Sequence, residues 1–352
     1  MERQPIGLSP EFNRKRTPMK SILITGCAGF IGSNFAPYFL KKYAEYHLVN
    51  LDAMTYAGNP DNLDEIAGNA RYTFIHGDIC DRNLLEQLFA EHDIQGVIHF
   101  AAESHVDNSI KNPGVFIQTN VNGTFTLIDV AYKYWMEKPF VFKPSYETCR
   151  FHHISTDEVY GTLGETGLFT EETPYAPNSP YSASKAGSDM IVRSYYHTYG
   201  MNTLITNCSN NYGPKQHNEK LIPTIIRKAI SGEGIPIYGD GKNIRDWLYV
   251  LDHCKGIDLV YHHGRISEVY NIGGRNERNN NYIADKVCEI LDELKPKTQG
   301  SYKDQLRFVE DRAGHDKRYA IDATKIEAEL GWQADESFET GILKTIEWYL
   351  DR

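Results

Sequence analysis

Tyr181 and Lys185 are a pair of side chains whose types and spacing could do chemistry. They stand at positions i and i+4 of a helix-like stretch, and so on one face of a helix. An ammonium group beside a phenol favours the phenolate, so Lys185 is expected to lower the pKa of Tyr181 toward a range useful in catalysis. Solvated surface pairs often have the same spacing, and the interpretation therefore depends on the elements around the pair.

Asp157 and Glu158 are adjacent carboxyls that could supply a further acid and base. They follow Thr156 and a short strand-like run at residues 151–154. A structural alternative is that they cap a helix after the strand. Catalysis is favoured because the Tyr181–Lys185 pair is expected at the same edge of the sheet.

Three glycines at the start of the first expected helix form a dinucleotide-binding pattern. Gly26 permits a tight turn, Gly29 lets the backbone approach a pyrophosphate, and Gly32 allows the helix to pack closely on the strand. Asp52 ends the next strand 20 residues after Gly32, where a carboxylate accepts hydrogen bonds from a ribose and repels the extra phosphate of NADP. The pattern predicts NAD, against the alternative of an α/β protein that only looks like a nucleotide binder. Further contacts are expected after the third and fourth strands, at Asp78, Ile79, Phe100, Ala101 and Ala102.

The elements that must position these residues alternate between short strands and longer helices. This alternation predicts a parallel sheet covered by helices on both faces. The strands are expected at residues 21–25, 47–51, 72–75, 96–100, 151–154 and 202–206, and the helices at residues 30–43, 84–91, 115–134 and 182–199.

The rhythm changes after Asn207, where Pro, Gly and Asn cluster through residues 210–220. We expect an α/β protein with a Rossmann-type doubly wound parallel sheet and a second, smaller mixed α/β substrate-binding lobe. The expected divisions are a flexible extension at residues 1–19, an NAD-binding domain at 20–209, and a mainly substrate-binding domain at 210–352 with some segments returning to the first domain.

The composition limits the partners and the location. The 352 residues carry 37 Lys and Arg against 47 Asp and Glu, a net charge of −10 that argues against nucleic acid or an anionic membrane as partner. No apolar run is long enough to cross a bilayer, and the N-terminal residues lack a secretory signal. The 6 scattered cysteines favour a reduced, cytoplasmic protein. No metal is predicted, because consecutive strand residues such as His152 and His153 point to opposite faces.

With the Tyr181–Lys185 pair after the fifth strand of a dinucleotide fold, the sequence resembles the extended short-chain dehydrogenase/reductase family over nearly all of the chain beyond Met19. Residues 155–161 are similar to the nucleotide-sugar 4,6-dehydratases of that family, in particular to those that act on dTDP-glucose. Supporting stretches are residues 100–107, 207–214, 219–223, 237–247 and 311–316. The sequence departs from the family pattern at Cys27, Asn108, His217, Asn218 and Ala313, and in a longer connection at residues 132–150.

The resemblance implies oxidation of the sugar at C4, loss of water across C5 and C6, and return of the hydride to C6, with NAD staying bound because the cycle is redox-neutral. Tyr181 would remove the C4 hydroxyl proton, Thr156 would hydrogen-bond the same oxygen, and Lys185 would orient the cofactor ribose. Glu158 would remove the C5 proton. Asp157, held protonated, would donate to the departing C6 hydroxyl.

The resemblance also implies two sets of binding residues. The cofactor set is Gly26, Gly29, Phe30, Ile31, Gly32, Asp52, Thr55, Asp78, Ile79, Phe100, Ala101, Ala102, Ser104, Thr119, Tyr181, Lys185 and Asn210. The substrate set is Ser104, Thr156, Asn211, Lys220, Leu221, Pro236, Tyr238, Arg245, Asn280, Asp311, Arg312 and His315, of which the basic residues are candidates for the diphosphate.

Two other functions are open from the sequence. One is a 4-epimerase or another nucleotide-sugar dehydratase on the same scaffold, although epimerisation gives Asp157 and Glu158 no task. The other is a catalytically silent NAD-binding regulator, against which the intact set of catalytic residues argues. The resemblance further implies a homodimer that forms through the helices at residues 115–134 and 182–199, while the tyrosines of the latter could equally be core residues.

Overall fold

A seven-stranded parallel sheet forms the centre of the fold. The computed structural model describes residues 19–311 and 316–352. The strands are β1 (Lys20–Thr25), β2 (Tyr46–Asp52), β3 (Tyr72–His76), β4 (Ile94–His99), β5 (Met136–Lys138), β6 (Val141–Phe142), β7 (Phe151–Thr156), β8 (Thr203–Cys208), β9 (Asn210–Tyr212), β10 (Ile235–Tyr238), β11 (Ile244–Tyr249), β12 (Val269–Ile272), β13 (Glu277–Asn279) and β14 (Leu306–Val309). The large sheet has the order β12–β8–β7–β4–β1–β2–β3, and each neighbouring pair is parallel.

Helices cover both faces of this sheet. They are α1 (Phe30–Lys42), α2 (Asp64–Ala67), α3 (Arg82–His92), α4 (Val106–Lys111), α5 (Pro113–Phe116), α6 (Thr124–Trp135), α7 (Pro180–Tyr199), α8 (Leu221–Ser231), α9 (Val250–His263), α10 (Asn280–Leu294), α11 (Thr324–Leu330) and α12 (Phe338–Leu350). Short 3₁₀ helices span Pro60–Leu63, Asp157–Tyr160 and Tyr302–Gln305, and a π-helix spans Ile117–Gly123.

Alternating side chains of the strands build an apolar layer on each face. In β1, Ile22 and Ile24 pack with α1 and α9, whereas Leu23 packs with α3, α6 and α7 on the opposite face. All three side chains are almost fully buried, which is why the central strand reads as continuously apolar rather than alternating. The expected α/β fold with a Rossmann-type sheet is confirmed.

The expected elements differ from the observed ones in two places. The seventh strand, β12, was not predicted, because its four residues are separated from the other strands by the less regular segment after Asn207. The helix expected at residues 115–134 is present, but its middle is a π-helix, so that α5, the π-helix and α6 follow one another without a break. Within the π-helix, Asn120 is buried and its side-chain amide hydrogen-bonds both main-chain groups of Glu103. The irregular turn thus ties this helix to the loop after β4.

A second apolar core lies under two small sheets formed by the later part of the chain. Strands β9, β11 and β13 form one sheet, and β10 pairs with β14 in another. Helices α8, α10 and α12 pack around Tyr212 and Trp247 in this core. The strands β5 and β6 form a separate hairpin within the long connection at residues 132–150. The expected extension at residues 1–19 lies outside the described residues, except for Met19.

Candidate active site

A cavity of about 320 Å³ opens at the carboxyl edge of the large sheet. The loops after β1, β2, β3, β4, β7 and β8 all contribute to its wall. Ligands of open parallel sheets bind at this edge. All the residues predicted as catalytic or cofactor-binding line this one cavity.

The glycine loop after β1 leaves no room for side chains. Gly26 has φ +75°, and a Cβ atom on it would lie 2.6 Å from the Cα atom of Ala101. A Cβ atom on Gly32 would lie 2.6 Å from the Cα atom of Cys27. Because both neighbours are backbone atoms, neither could give way, and α1 starts directly against the strand ends. Such a helix N-terminus provides free amide groups for a phosphate.

Asp52, at the end of β2, lies beside the glycine loop and is nearly fully buried. Its Oδ2 atom accepts a hydrogen bond from the amide of Ala28 at 2.8 Å, and its Oδ1 atom accepts one from the amide of Met54 at 2.8 Å. Asn50 supports the same loop through a 3.3 Å bond from the amide of Cys27. The carboxylate therefore both holds the loop and lines the cavity where a ribose could bind.

Helix α7 brings Tyr181 and Lys185 to the cavity. It begins with a capping box, in which the side chain of Ser179 accepts from the amide of Ser182 at 3.0 Å and the side chain of Ser182 accepts from the amide of Ser179 at 3.0 Å. Tyr181 and Lys185 are both buried, one turn apart. The Lys185 Nζ atom donates to the carbonyl of Ile154 at 2.9 Å, which joins the helix to β7.

The expectation that Lys185 lowers the pKa of Tyr181 is wrong for the protein alone. Burial raises the pKa of Tyr181 well above its usual range, and the Glu158 carboxylate adds to this. Burial has the opposite effect on the amine and lowers the pKa of Lys185 to about 8. Both shifts favour the neutral forms, because removing a group from water disfavours its charge.

Asp157 and Glu158 begin a 3₁₀ helix directly after β7. The cap is Thr156, whose Oγ1 atom accepts from the amide of Glu158 at 3.3 Å, so the two carboxyls do not cap this helix. Asp157 is 2% exposed, and its Oδ2 atom has no hydrogen-bond partner among the described residues. Burial raises the pKa of Asp157 well above its usual range, and Glu158 and Asp246 add to the rise. Burial therefore favours the protonated form of this carboxyl beside the Tyr181–Lys185 pair.

The residues predicted to bind substrate are in two groups. Ser104, Thr156, Asn211 and Lys220 line the cavity. Six others do not line it, namely Leu221, Pro236, Tyr238, Arg245, Asn280 and Asp311. The predicted residues Arg312 and His315 lie outside the described residues.

Arg245 lies on β11, which pairs with β9, the strand that carries Asn210 and Asn211. Its guanidinium group stacks over the ring of Tyr319 at 4.2 Å and donates to the carbonyl of Asp316 at 2.9 Å. It is close enough to Asp157 to oppose the rise in the pKa of that carboxyl. The second sheet therefore adjoins the catalytic end of the cavity.

Several cavity residues were not predicted as site residues. Glu103, Cys208, Ser209, His217 and Glu219 line the wall. Burial and the nearby Glu219 carboxylate raise the pKa of Glu103. Glu103, Ser209 and Glu219 stand directly next to predicted residues in the sequence, and that position was the available signal. The remaining unpredicted residues of the wall are Leu51, Ala53, Ala57, Gly58, Gly77, Ile154, Ser155 and Gln216.

The two strand histidines face opposite sides of the sheet. The His152 Nε2 atom lies 3.1 Å from Thr206 Oγ1, and the His153 Nε2 atom lies 3.1 Å from Ser188 Oγ on α7. In the described part of the chain, no group of three or more His, Cys, Asp or Glu side chains could hold a metal ion. Absence of a metal stays a prediction.

A Rossmann-type sheet, a glycine loop with an acidic second strand, and a buried Tyr–Lys pair define an oxidoreductase-type site of the extended short-chain dehydrogenase/reductase class. The family model described as GDP-mannose 4,6 dehydratase matches residues 23–345. A dTDP-glucose 4,6-dehydratase of Xanthomonas campestris pv. campestris is 53% identical over 94% of this chain and 93% of its own length. The chain belongs to the dTDP-glucose 4,6-dehydratase family.

Two solved structures of that family are similar in fold. The dTDP-glucose 4,6-dehydratase of Bacillus anthracis, in complex with NAD, has a TM-score of 0.83 and 45% identity, with 95% of this chain and 97% of that chain covered. DesIV, the dTDP-glucose 4,6-dehydratase of Streptomyces venezuelae, also has NAD bound. It has a TM-score of 0.85 and 44% identity, with 94% of this chain and 97% of that chain covered.

Proposed function

We propose that this protein dehydrates dTDP-glucose to dTDP-4-dehydro-6-deoxyglucose with a tightly bound NAD. The observation that carries this proposal is the pair Asp157–Glu158 at the same cavity wall as Tyr181 and Lys185. Oxidation and re-reduction alone need only the Tyr–Lys pair. Elimination of water needs an additional acid and base, and the adjacent carboxyls can supply them.

The cavity fits NAD. The absence of Cβ atoms at Gly26 and Gly32 lets the glycine loop pack against the backbone of Ala101 and Cys27, which brings the start of α1 to the cavity where a pyrophosphate would bind. Asp52 lies at the expected end of β2, where its charge disfavours the additional phosphate of NADP. When bound, NAD would accept the hydride from C4 of the sugar and return it to C6, and its charged nicotinamide would favour the Tyr181 phenolate.

The chain's own groups move the protons of the oxidation step. The Tyr181 hydroxyl oxygen, as phenolate, takes the proton of the C4 hydroxyl, and Thr156 donates a hydrogen bond to the same sugar oxygen. Lys185 would orient the cofactor ribose from the cavity wall, where its amino group donates to the Ile154 carbonyl at 2.9 Å. The new C4 ketone makes the neighbouring C5 proton acidic.

The two carboxyls then catalyse the elimination of water across C5 and C6. Glu158 removes the C5 proton, and Asp157 gives its proton to the departing C6 oxygen. The raised pKa of Asp157 supports this assignment, since only a protonated carboxyl can act as the acid. After the hydride reaches C6, Glu158 returns a proton to C5.

The second sheet supplies the remaining substrate contacts in this proposal. Lys220, Arg245 and Arg312 are assigned to the diphosphate, with Asn211 and Asn280 as neutral donors. Arg245 lies on β11 and is close enough to Asp157 to lower the pKa of that carboxyl, so it lies near the catalytic end of the cavity. Residues 20–209 accordingly form most of the NAD-binding domain, and residues 210–352 form most of the substrate-binding domain, with β12 completing the large sheet.

A cytoplasmic homodimer is proposed for the assembled enzyme. The helical face expected to dimerise carries exposed apolar side chains on α5, the π-helix, α6 and α7, namely Val115, Ile117, Phe125 and Met190. Tyr195, by contrast, is buried and belongs to the core. Among the described residues, none of the helices combines the length and apolar character that a membrane span requires. All six cysteines are unpaired. A monomeric mass in sedimentation would contradict the dimer.

The proposal is tested by the products formed from three nucleotide sugars. The protein is incubated separately with dTDP-glucose, UDP-glucose and CDP-glucose in deuterated water, and the products are identified by NMR. We expect the 4-dehydro-6-deoxy sugar from dTDP-glucose, with deuterium at C5. Tyr181→Phe serves as the control, since it keeps the cavity shape without the acidic hydroxyl. Formation of a C4 epimer, or of no product from any of the three sugars, would contradict the proposal.

A further inference from the structure

Lys185 is joined to a set of buried polar groups that the proposed chemistry leaves without a task. His153 on β7 and Asp189 on α7 are both completely buried. The His153 Nε2 atom lies 3.2 Å from Lys185 Nζ and 3.2 Å from Asp189 Oδ1. Asp189 follows Lys185 by one helical turn, so the carboxylate, the imidazole and the amino group form one connected cluster behind the cavity wall.

The Asp189 carboxylate is fixed in place. Its Oδ2 atom accepts from Ser155 Oγ at 2.8 Å and from the Tyr175 hydroxyl at 3.0 Å, whereas its buried Oδ1 atom accepts no hydrogen bond from the described residues and lies 3.2 Å from His153 Nε2. The Ser188 hydroxyl donates to the carbonyl of Lys185 at 2.7 Å and therefore cannot donate to His153 as well. A buried cluster with this many fixed partners holds its charged members in one arrangement.

The described groups around Lys185 offer few counter-charges. The titratable neighbours of Lys185 and Asp189 are His99 of β4, His153 of β7, Cys208 of β8, Tyr181 of α7, Tyr160 of the 3₁₀ helix after β7, and Tyr175 of the loop before α7. Burial raises the pKa of the Cys208 thiol, which stays uncharged, and lowers the pKa of both histidines. Among these groups, Asp189 is the one whose charge can favour the ammonium form of Lys185.

We propose that His153 and Asp189 are positioning residues that act through Lys185, holding its amino group at the cavity wall and keeping it charged while Tyr181 exchanges its proton. This inference rests on the proposed function of Lys185. Burial disfavours the charged form of the Lys185 amine. Without Asp189, only neutral acceptors would remain to stabilise the ammonium. Without His153, the amino group loses the imidazole Nε2 atom at 3.2 Å, which accepts from it in the tautomer that carries its proton on Nδ1. In both cases the ammonium becomes easier to deprotonate.

The sign of the pH effect follows from these contacts. The pKa of Lys185 is about 8, so the ammonium is lost as pH rises through that value. Asp189→Asn and His153→Leu should move the alkaline limb of bound-NADH formation to lower pH, by on the order of one pH unit. At about pH 8 a shift of one unit cuts the charged fraction of Lys185 about fivefold. His153→Gln, which restores an acceptor, should shift the limb less than His153→Leu.

His152 offers a matched control, because it is the adjacent buried histidine on the opposite face of the same strand. His152→Leu should lower the melting temperature and leave the alkaline limb where it is. The rate of bound-NADH formation after mixing with dTDP-glucose is measured from pH 6 to pH 10 for the wild type and each variant. The inference would be overturned if the alkaline limb of the pH profile lay at the wild-type pH in both Asp189→Asn and His153→Leu.

A second readout does not depend on turnover. The Lys185 amino group is titrated by NMR in substrate-free protein labelled with ¹⁵N-lysine, and its resonance is assigned by its absence from Lys185→Met. We expect a lower titration midpoint in Asp189→Asn than in the wild type or His152→Leu. Equal midpoints would overturn the inference. If the wild type formed no NADH with the sugar, the proposed function would fail, and this titration alone would decide the role of Asp189.

Discussion

Replacing Asp157 by asparagine removes a buried proton while keeping the shape of the side chain. Burial, Glu158 and Asp246 raise the pKa of Asp157 well above its usual range. Folding therefore retains a proton that the unfolded chain releases near the ordinary value. Asp157 contributes stability that is complete below its unfolded pKa and is lost as pH rises through its folded pKa. Asparagine does not titrate. The variant should therefore become more stable relative to the wild type as pH rises from the unfolded to the folded pKa of Asp157.

The size of the effect follows from linkage and chain length. Each unit by which the folded pKa exceeds the unfolded one corresponds to about 1.4 kcal/mol. For 352 residues the entropy of unfolding is about 0.7 kcal/mol/K, so each unit corresponds to about 2 °C in Tm. The Tm difference between Asp157→Asn and the wild type should therefore grow with pH from about pH 4 and level off above the folded pKa.

The same substitution should impair elimination while it stabilises the fold. An amide cannot give a proton to the C6 oxygen, and loss of a general acid slows a reaction by about a hundredfold to ten-thousandfold. Bound NADH should still form in a single turnover, because Tyr181 and Lys185 are unchanged. Thermal melts across the pH range and stopped-flow NADH absorbance measure the two effects.

Asp93 provides a control, because replacing it by asparagine should change the stability at neutral pH in the opposite direction. Hydrogen bonds from Tyr146 and Gln95 lower the pKa of Asp93, so its contribution is present above the unfolded pKa and is lost as pH falls through the folded one. Asp93→Asn should thus be less stable than the wild type at neutral pH, with normal turnover. A Tm difference for Asp157→Asn that does not vary with pH, or near-normal turnover in that variant, would refute the reasoning.

Three further variants test other parts of the site. Glu158→Gln should still form bound NADH but lose exchange of the C5 proton with solvent by about a hundredfold or more, as followed by deuterium incorporation; near-normal exchange would rule out its role as base. Gly26→Ala should purify with little NAD and a lower Tm, because its Cβ would meet backbone at 2.6 Å, whereas Gly68→Ala, with open space around it, should retain both. Arg245→Ala should weaken dTDP binding in calorimetry by roughly tenfold to a hundredfold, since a charge-assisted hydrogen bond contributes about 1.5–3 kcal/mol; unchanged affinity would remove Arg245 from the diphosphate site.

The position of the catalytic groups could be predicted because parallel strands bring their carboxyl ends to one edge. Thr156, Asp157 and Glu158 follow one strand, and Asp52 ends another, so strand prediction alone placed them together. The one-turn spacing of Tyr181 and Lys185 fixed their shared face once α7 was recognised. The strand ends and the helical spacing can both be predicted from short stretches of sequence, independently of how the elements pack.

The chemical state of those groups could not be predicted in the same way. The pKa of Tyr181 is raised because the folded chain buries its hydroxyl, and the Glu158 carboxylate adds to the rise. The stacking of Arg245 on Tyr319 joins residues more than 70 positions apart in the sequence. The strand β12 was missed for a related reason, since its four residues gain their strand conformation by pairing with β8.

In the proposed mechanism, the hydride removed from C4 returns to C6 of the same sugar. The direct measurement uses dTDP-glucose that carries deuterium at C4, with the product examined by NMR. The account predicts a 4-dehydro sugar whose deuterium lies in the new C6 methyl group, with no lasting accumulation of NADH. Deuterium that remains at C4, as in epimerisation, or that is lost to solvent would contradict the account.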